Sequence, residues 1–132
     1  MKVKILPSKA SGEVSAPPSK SFAHRYLIGS VLSSGKCVIN NIADSDDISA
    51  TLSCIEQLGG SVTKDGNIVT VIPTNEKQIE NAVFDCKESG STLRFFIPVV
   101  LATGAKNCTF LGSERLLARG IKEYEKLFEN SD

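Results

Sequence analysis

The chain has 132 residues and a formal net charge of zero, with 15 basic residues balanced by 15 acidic ones. Hydrophobic residues make up 41% of the sequence, which is enough for one folded core and excludes an intrinsically disordered protein. The balanced charge, two tyrosines, six phenylalanines and absence of tryptophan supply neither the basic field nor the stacking surface of a nucleic-acid-binding domain. We therefore predict no nucleic-acid partner.

The sequence shows no membrane or targeting pattern. No apolar stretch reaches the roughly 18 residues needed to span a bilayer, and the first segment, MKVKILPSKASG, has no apolar signal-peptide core. The cysteines lie in apolar runs without paired metal-ligand spacing, which predicts reduced thiols in the core. We predict a cytoplasmic protein with no membrane partner, no metal and no cofactor. The cysteines are Cys37, Cys54, Cys86 and Cys108.

In chain order, the first half predicts strands, helices and a hairpin. Polar and apolar residues alternate in the strands, and apolar residues recur every three to four positions in the helices. Asp65-Gly66 is a strong hairpin-turn signal. The predicted elements are strands at 2–6 and 12–16, a helix at 20–32 with its apolar side on Phe22, Ala23, Tyr26, Leu27 and Val31, a strand at 37–42, a helix starting at 44–47 with its apolar side on Ile48, Leu52, Ile55 and Leu58, and a hairpin at 62–72.

After a polar connector at 74–81, the same order of elements begins again. It predicts a strand at 83–86, a helix at 92–101, a strand at 108–111 and a last helix starting near Arg119. A shift of 69 residues places Arg25 on Arg94 and Ser21 beside Gly90. Such self-similarity indicates an internal repeat of one supersecondary unit.

The repeat predicts an α/β (α+β) fold of βαβαββ units, one complete and one truncated. The first unit covers residues 11–73 and the second 74–132, behind a leading segment at 1–10. The same shift would start the second hairpin at about residue 130, so we expect the chain to be a fragment of a longer protein. The alternative is a natural domain without the second hairpin. Open sheet edges favour self-association in either case.

The segment from Pro17 to Arg25 has the features of an anion-binding helix start. Two prolines fix an extended entry, and Ser19 or Ser21 can cap the first turn. Open backbone amides and the helix dipole favour a phosphate or carboxylate there, and Lys20 and Arg25 add positive charge. The alternative is a capped surface helix whose cations are solvated.

The second unit offers a matching helix start, and a third cationic cluster follows it. Gly90 has no Cβ, so backbone amides can approach a ligand, and Arg94 lies four residues further on. Two such helix ends side by side predict a site for one small, doubly anionic molecule. Arg115 and Arg119 form the third cluster, in the turn before the last helix.

Nucleophilic catalysis and metal binding have little support. His24 is the sole histidine, so no catalytic triad can be built without it, and a bystander role is favoured over a base. The carboxylates at 44–47 suit a helix start better than a metal site. Asp47 is also expected to orient Lys20 or Arg25 across the repeat.

Four motifs that follow one another along the chain resemble a single enzyme family. They are Pro17-Pro18-Ser19-Lys20-Ser21 with Arg25, Asp44-Ser45-Asp46-Asp47, Ser89-Gly90-Ser91-Thr92-Leu93-Arg94, and Glu114-Arg115 with Arg119. In order and spacing they closely resemble the N-terminal part of the 5-enolpyruvylshikimate-3-phosphate synthase family. The resemblance extends over essentially the whole chain, but over only about the first third of the family's usual length.

The resemblance implies a fold, a reaction and a pathway. The family has two lobes, each of three βαβαββ units, and residues 1–10 would belong to the other lobe. It transfers the enolpyruvyl group of phosphoenolpyruvate to the 5-hydroxyl of shikimate 3-phosphate, releasing phosphate, in aromatic amino acid biosynthesis. The acid–base groups lie largely in the lobe that this chain does not include. The isolated chain is therefore expected to be inactive, and the full-length form to be a monomer.

The resemblance also implies roles for individual residues. Lys20 corresponds to the catalytic lysine that touches both substrates. Ser21 and Arg25 correspond to ligands of shikimate 3-phosphate, and Gly90 and Arg115 to ligands of phosphoenolpyruvate. Supporting roles fall to three further motif residues, Asp47, Arg94 and Arg119.

One position departs from the family pattern, because Gly120 follows Arg119 where the family usually has proline. Glycine does not fix φ for a helix start, so the last helix is expected to begin later or to fray. The related UDP-N-acetylglucosamine enolpyruvyl transferase family lacks the Lys-Ser pair followed by this arginine and ranks lower. The alternative function is a non-catalytic RNA- or anion-binding βαβαββ module, against which the balanced charge argues.

Overall fold

The structure is a computed structural model that describes residues 2–74 and 79–129. Helices and strands alternate along it, so the α/β prediction is confirmed. No helix within these ranges is both long and apolar enough to cross a bilayer. In chain order the elements are α1 (Lys20–Val31), β1 (Cys37–Ile39), α2 (Asp46–Gln57), β2 (Ser61–Asp65), β3 (Ile68–Ile72), β4 (Val83–Asp85), α3 (Gly90–Ala102), β5 (Thr109–Leu111), α4 (Glu114–Leu117) and α5 (Lys122–Phe128).

The first sheet consists of β1, β3 and β2 in that order, with antiparallel pairing throughout. The β2–β3 hairpin turns at Gly66, whose φ of 54° is a left-handed conformation that glycine adopts without strain. Val69 and Val71 of β3 are fully buried, so the central strand anchors the sheet to the helices. The hairpin predicted around Asp65-Gly66 is confirmed.

The helices α1, α2 and α3 contact one another and form the centre of the core. Leu27 of α1, Ile55 of α2 and Phe96 of α3 are fully buried, and each such side chain contributes roughly 1.5 to 3 kcal/mol to folding. All three helices begin at a serine N-cap. Their mutual packing decides where these N-termini lie.

The second unit contains a βαβ crossover, as the repeat predicted. β4 and β5 pair in parallel with Phe84 opposite Phe110, and α3 connects them. The Phe84 ring lies 5.1 Å from the Phe110 ring and 5.9 Å from the Phe96 ring, measured between centroids. This aromatic cluster fixes α3 against the small sheet.

The strands predicted at 2–6 and 12–16 are wrong, because both segments are irregular. Val3, Ile5 and Val14 are 70%, 89% and 95% exposed. A strand needs a partner for its backbone groups, and no described strand pairs with either segment. The first unit therefore lacks its opening strand in this structure, and the unit boundaries stay predictions.

The last helix begins at Lys122 rather than near Arg119, so the later start expected from Gly120 is confirmed. Gly120 has a φ of 66°, which separates the two final helices. The short helix α4 occupies a segment predicted as a turn. It forms because the Ser113 side chain accepts a hydrogen bond from the Leu116 amide at 3.2 Å and Leu116 is buried.

Some apolar side chains are more exposed than predicted. Phe22 and Tyr26 of α1 are each 61% exposed and stack on each other, with ring centroids 6.1 Å apart. The cysteines near the edge strands β1 and β5 are also partly exposed, because one face of an edge position opens to solvent. The four free thiols comprise two buried ones, Cys54 and Cys86, and two half-buried ones, Cys37 and Cys108.

Candidate anion-binding site

Helix α1 starts with a serine cap at the surface. Ser19 has an extended backbone and its side chain accepts a hydrogen bond from the Phe22 amide at 3.4 Å. The cap is thus Ser19 rather than Ser21, which lies exposed in the first turn. Arg25 folds back along the helix and donates from Nη1 to the Ser21 carbonyl at 2.8 Å. The first turn therefore presents a hydroxyl and two cationic side chains, including that of Lys20, on the outside of the molecule.

A carboxylate of α2 holds Lys20. The Lys20 Nζ atom lies 2.5 Å from Asp47 Oδ2, so of the two cations expected to contact Asp47 the structure shows Lys20. Both side chains stay partly exposed, so the pair contributes only about 0 to 1 kcal/mol to stability. Its main consequence is geometric, because it fixes the lysine between the starts of α1 and α2.

The carboxylate run serves the start of α2, as predicted. The Ser45 side chain accepts a hydrogen bond from the Ile48 amide at 3.2 Å, and Asp46 and Asp47 lie in the first turn, where the helix dipole favours negative charge. Among the described residues, no group of three or more histidine, cysteine, aspartate or glutamate side chains is arranged to hold a metal ion.

Helix α3 begins at Gly90, directly after its cap Ser89. A Cβ at Gly90 would lie 2.8 Å from Arg94 Nη1 and 3.8 Å from Arg119 Nη1. The first distance is shorter than carbon atoms tolerate, so any larger residue would displace the Arg94 guanidinium. Glycine at this position therefore keeps two arginine side chains close to open helix amides.

A groove of about 340 Å³ lies between the starts of α2 and α3 and includes Arg119. Arg25 of α1 reaches its wall, because the Arg25 guanidinium lies 5.1 Å above the centre of the Phe95 ring. Backbone amides and guanidinium groups suit phosphate and carboxylate groups, whereas the Asp47 carboxylate suits a hydroxyl. The groove can thus hold a small phosphorylated molecule. Its lining includes Asp47, Glu88, Gly90, Arg94, Phe95 and Arg119.

Arg94 is committed to backbone carbonyls. Its Nη1 donates to the Gly90 carbonyl at 3.4 Å, and its Nη2 donates to the Gly120 carbonyl at 3.3 Å. The Tyr124 hydroxyl donates to the Arg94 carbonyl at 2.7 Å. These bonds connect α3 to the turn that contains Arg119. Arg94 therefore holds Arg119 at the groove.

The predicted cationic residues separate into two groups. Lys20, Arg25, Arg94 and Arg119 surround the starts of α1, α2 and α3. Arg115 is exposed on α4 and does not line the groove. Its predicted role as a ligand therefore has less geometric support than the same role for Arg119.

Two aromatic residues at this site were not predicted. Phe95 lies beneath Arg25, and Tyr124 anchors Arg94. The only signal in the sequence was an aromatic residue directly after Arg94, and such a residue is usually part of a core. Both contacts join segments that are far apart in the chain, so local patterns do not reveal them.

His24 lies beneath the site without reaching it. Its ring is 1% exposed, and its Nδ1 atom lies 2.8 Å from Thr51 Oγ1. Burial lowers the pKa of His24 below 6.5; the Asp47 carboxylate opposes this shift, and Lys20 and Arg25 add to it. A buried neutral ring cannot take a proton directly from a ligand in the groove, which favours the predicted bystander role in the chemistry.

Acid should destabilise the fold through His24. Because the pKa is lower in the folded chain than the ordinary 6.5, the unfolded chain binds more protons as pH falls below that value, and the free energy of unfolding decreases. We expect the urea midpoint to fall between about pH 7.5 and about pH 5.5, and His24→Gln to remove most of the change. His24 is the only histidine, so a wild-type midpoint that stays constant over this range would contradict the prediction.

Comparisons with known proteins agree with the motifs. The sequence model of the EPSP synthase (3-phosphoshikimate 1-carboxyvinyltransferase) family matches residues 6–131. The 3-phosphoshikimate 1-carboxyvinyltransferase of Clostridium novyi (strain NT) is 40% identical over 137 residues, covering 97% of this chain and 31% of the relative. Proteins of the same name from Clostridium botulinum (strain Eklund 17B / Type B) and Clostridioides difficile (strain 630) are each 42% identical, over 96% and 98% of this chain.

The chain spans about a third of the length of these curated relatives, 30% to 32%. The family match nevertheless covers almost every residue of the chain itself. It includes all four motifs whose side chains or helix starts are described above. The chain therefore belongs to the EPSP synthase (3-phosphoshikimate 1-carboxyvinyltransferase) family.

Proposed function

We propose that this chain supplies one side of an active site that transfers the enolpyruvyl group of phosphoenolpyruvate to the 5-hydroxyl of shikimate 3-phosphate. The reaction releases phosphate and belongs to the shikimate pathway of aromatic amino acid biosynthesis. The name shared by the relatives supports this activity. Because the chain spans only 31% of the Clostridium novyi relative, the activity needs further residues, and the 132-residue chain alone should not turn over.

The observation that carries the proposal is the meeting of three helix starts around cationic side chains. Asp47 holds Lys20 at 2.5 Å and lines the same groove as Gly90 and Arg119. Two substrates that are both small phosphorylated anions need such a surface. Positive helix ends and guanidinium groups provide it without any bulk positive charge.

The start of α1 is the proposed site for shikimate 3-phosphate. Ser21 and Arg25 are exposed there and would bind the phosphate group. A charge-assisted hydrogen bond contributes roughly 1.5 to 3 kcal/mol, whereas a helix end contributes about 0.3 to 1 kcal/mol. The cations therefore decide affinity, and the helix amides decide orientation. Lys20 stands between this site and the groove, where it can contact both substrates.

The groove at α3 is the proposed site for phosphoenolpyruvate. Gly90 leaves room for a phosphate or carboxylate, and Arg119 lies close to it. Sequence resemblance gave the ligand role to Arg115, and the position of Arg119 in the groove now supports Arg119 more strongly. Arg94 acts through the turn at Gly120 that it holds.

The proposed reaction is an addition followed by an elimination. The 5-hydroxyl group loses its proton as its oxygen bonds to the phosphate-bearing carbon of phosphoenolpyruvate, and the methylene carbon gains a proton. The tetrahedral adduct then loses phosphate and a methyl proton, which restores the double bond. No electrons are transferred between redox partners, so we propose no redox cofactor. Lys20 would stabilise charge that develops on the substrates, while proton transfer falls largely to groups outside this chain.

Gly90→Ala should selectively weaken phosphoenolpyruvate binding. The new Cβ would meet Arg94 Nη1 at 2.8 Å, so the guanidinium must shift and weaken its bonds to the Gly90 and Gly120 carbonyls. In an enzyme assembled from this chain and the matching remainder of a relative, we expect KM for phosphoenolpyruvate to rise about tenfold or more, as for other single-methyl mismatches. Steady-state kinetics with each substrate varied in turn would measure this.

Gly29→Ala is the matched control for that experiment. Gly29 also lies in a helix, but a Cβ there would meet nothing within 4 Å. We expect unchanged kinetics and a slightly more stable fold, because alanine favours a helix by about 0.5 to 1 kcal/mol over glycine. Equal KM values for the Gly90→Ala variant and the wild type would remove Gly90 from the site.

We further propose a cytoplasmic enzyme that acts as a monomer at full length and does not bind nucleic acid. Zero net charge supports the last point, because nucleic-acid affinity depends on neutralising phosphates with an excess of cations. Self-association of the 132-residue chain would not contradict the proposal, since β1 and β5 have open edges in the described sheets.

A further inference from the structure

We infer that His24, Thr51 and Thr92 form a buried hydrogen-bonded chain that positions the start of α3 against α1 and α2, with the histidine in its Nδ1–H tautomer. None of these side chains touches the groove. The series of hydrogen bonds ends on Ser89, the cap residue directly before Gly90. The role of the network in positioning the helix starts depends on the proposed function of the anion site. The assignment of the His24 tautomer does not depend on it.

Three short hydrogen-bonding contacts link helices α1, α2 and α3. His24 Nδ1 lies 2.8 Å from Thr51 Oγ1, and Thr51 Oγ1 lies 2.7 Å from Thr92 Oγ1. Thr92 Oγ1 then donates to Ser89 Oγ at 2.7 Å. His24, Thr51, Thr92 and Ser89 are each at most 1% exposed. Solvent therefore cannot substitute for any of these bonds.

The number of hydroxyl protons available in this network determines the tautomer of His24. Thr92 has one hydroxyl proton, and it is used on Ser89 Oγ. Thr51 also has one hydroxyl proton. It points toward the Asp47 carbonyl, to which Thr51 Oγ1 donates at 3.1 Å, with Thr92 Oγ1 beside it, so Thr51 can only accept from the ring. His24 must donate from Nδ1. In the opposite tautomer Thr51 would have to donate to Nδ1, and the Asp47 carbonyl would lose the Thr51 proton.

The same residues also reach the first turn of α2. Thr51 Oγ1 lies 3.1 Å from the Asp47 carbonyl, and Thr92 Oγ1 lies 3.4 Å from it. The Asp47 side chain holds Lys20. One buried network therefore connects the backbone behind Asp47 with the cap before Gly90, which are the two helix starts that face each other across the groove.

The hydrogen-bonded network lies within an otherwise apolar core, where apolar side chains could also have filled the space. The core around it is apolar, with Leu27, Ile55 and Phe96 fully buried. Apolar contacts are not directional, whereas hydrogen bonds between the three helices hold them in one arrangement. The remaining ring nitrogen, His24 Nε2, is buried and has no hydrogen-bond partner within residues 2–74 and 79–129. Such an atom is a disadvantage for stability, and positioning of the helix starts is the function that offsets it.

Nuclear magnetic resonance of the 132-residue chain tests both parts without any substrate. Long-range proton–nitrogen spectra at about pH 7.5 should show a protonated Nδ1 and an unprotonated Nε2 for His24. Thr51→Val removes the acceptor, so the Nδ1–H form should no longer dominate and the Gly90 amide signal should move. Thr51→Ser keeps the hydroxyl and should restore both signals.

A proton on His24 Nε2 in the wild-type chain would overturn the assignment, whether or not any variant folds. Thr92→Val provides a second break in the network. If both valine variants fold and leave the Gly90 amide signal unchanged, the positioning role is overturned.

A separate titration with inorganic phosphate distinguishes this inference from the proposed function. The wild-type Gly90 signal should respond to phosphate, and either valine variant should need about threefold more phosphate or higher for the same response. A wild-type chain with the assigned tautomer but no phosphate response would contradict the anion site and leave the hydrogen-bonded network in place.

Discussion

Lys20→Ala should lower kcat/KM by about 100-fold to 1,000-fold, the range for removing one group that stabilises developing charge. The test uses a chimera in which residues 6–131, the range of the family match, replace the equivalent part of the Clostridium novyi relative. Lys20 is held at 2.5 Å by Asp47 between the two proposed substrate sites. Its removal takes positive charge from both at once, so kcat and the KM values of both substrates should change.

Lys64→Ala is the matched control for this experiment. Lys64 also pairs with an aspartate, Asp44, at 2.6 Å, but it lies on β2 rather than at a helix start. We expect a change of less than about twofold, because an exposed ion pair contributes about 0 to 1 kcal/mol. Equal losses in the two variants would mean that the effect comes from a general loss of charge. Wild-type rates in the Lys20→Ala chimera would remove the lysine from the active site.

Helix starts could be predicted from the sequence because their physics is local. Ser19, Ser45 and Ser89 each bond an amide three residues later, and proline, aspartate and glycine neighbours mark the same positions. The contact between Asp47 and Lys20 was expected only as one of two alternatives, the other being Arg25, and the packing of α1 against α2 selects Lys20. Caps, helix types and the repeat together define the fold class and the position of the site.

The errors share a cause, which is dependence on distant partners. Alternating residues at 2–6 and 12–16 fit a strand, but a sequence pattern does not tell which strand would pair with them. Gly120 also illustrates this limit. Its φ is 66°, and its carbonyl accepts a bond from the distant Arg94. The later start of the last helix could therefore be predicted from the glycine, but the separate helix α4 could not.

The hydrogen-bonded network was missed for the same reason. His24, Thr51 and Thr92 lie on separate helices, and threonine in a helix is usually read as a neutral or mildly unfavourable residue. A lone histidine on an apolar face gave no indication of two threonines across the core. Only the three-dimensional packing brings these side chains within hydrogen-bonding distance.

Arg119→Ala should lower the affinity for phosphoenolpyruvate by about 10-fold to 100-fold, the range for losing a charge-assisted hydrogen bond of roughly 1.5 to 3 kcal/mol. Arg119 Nη1 would lie 3.8 Å from a Cβ at Gly90, and the residue lines the groove. Its placement depends on the Gly120 turn that Arg94 and Tyr124 hold. The predicted change is therefore a higher KM for phosphoenolpyruvate with little change for shikimate 3-phosphate.

Arg115→Ala is both the control and the competing assignment, because the sequence motif favours Arg115 and the geometry favours Arg119. The two arginines are four residues apart and both exposed, so neither substitution should unfold the chain. If Arg115 bound the ligand, its loss would raise KM while Arg119→Ala would not. That result would place the phosphoenolpyruvate site at Arg115 on α4 and not in the groove at Gly90. If only Arg119→Ala raises KM, the groove at Gly90 is the phosphoenolpyruvate site, and the arginine selected by the motif is the wrong member of the pair.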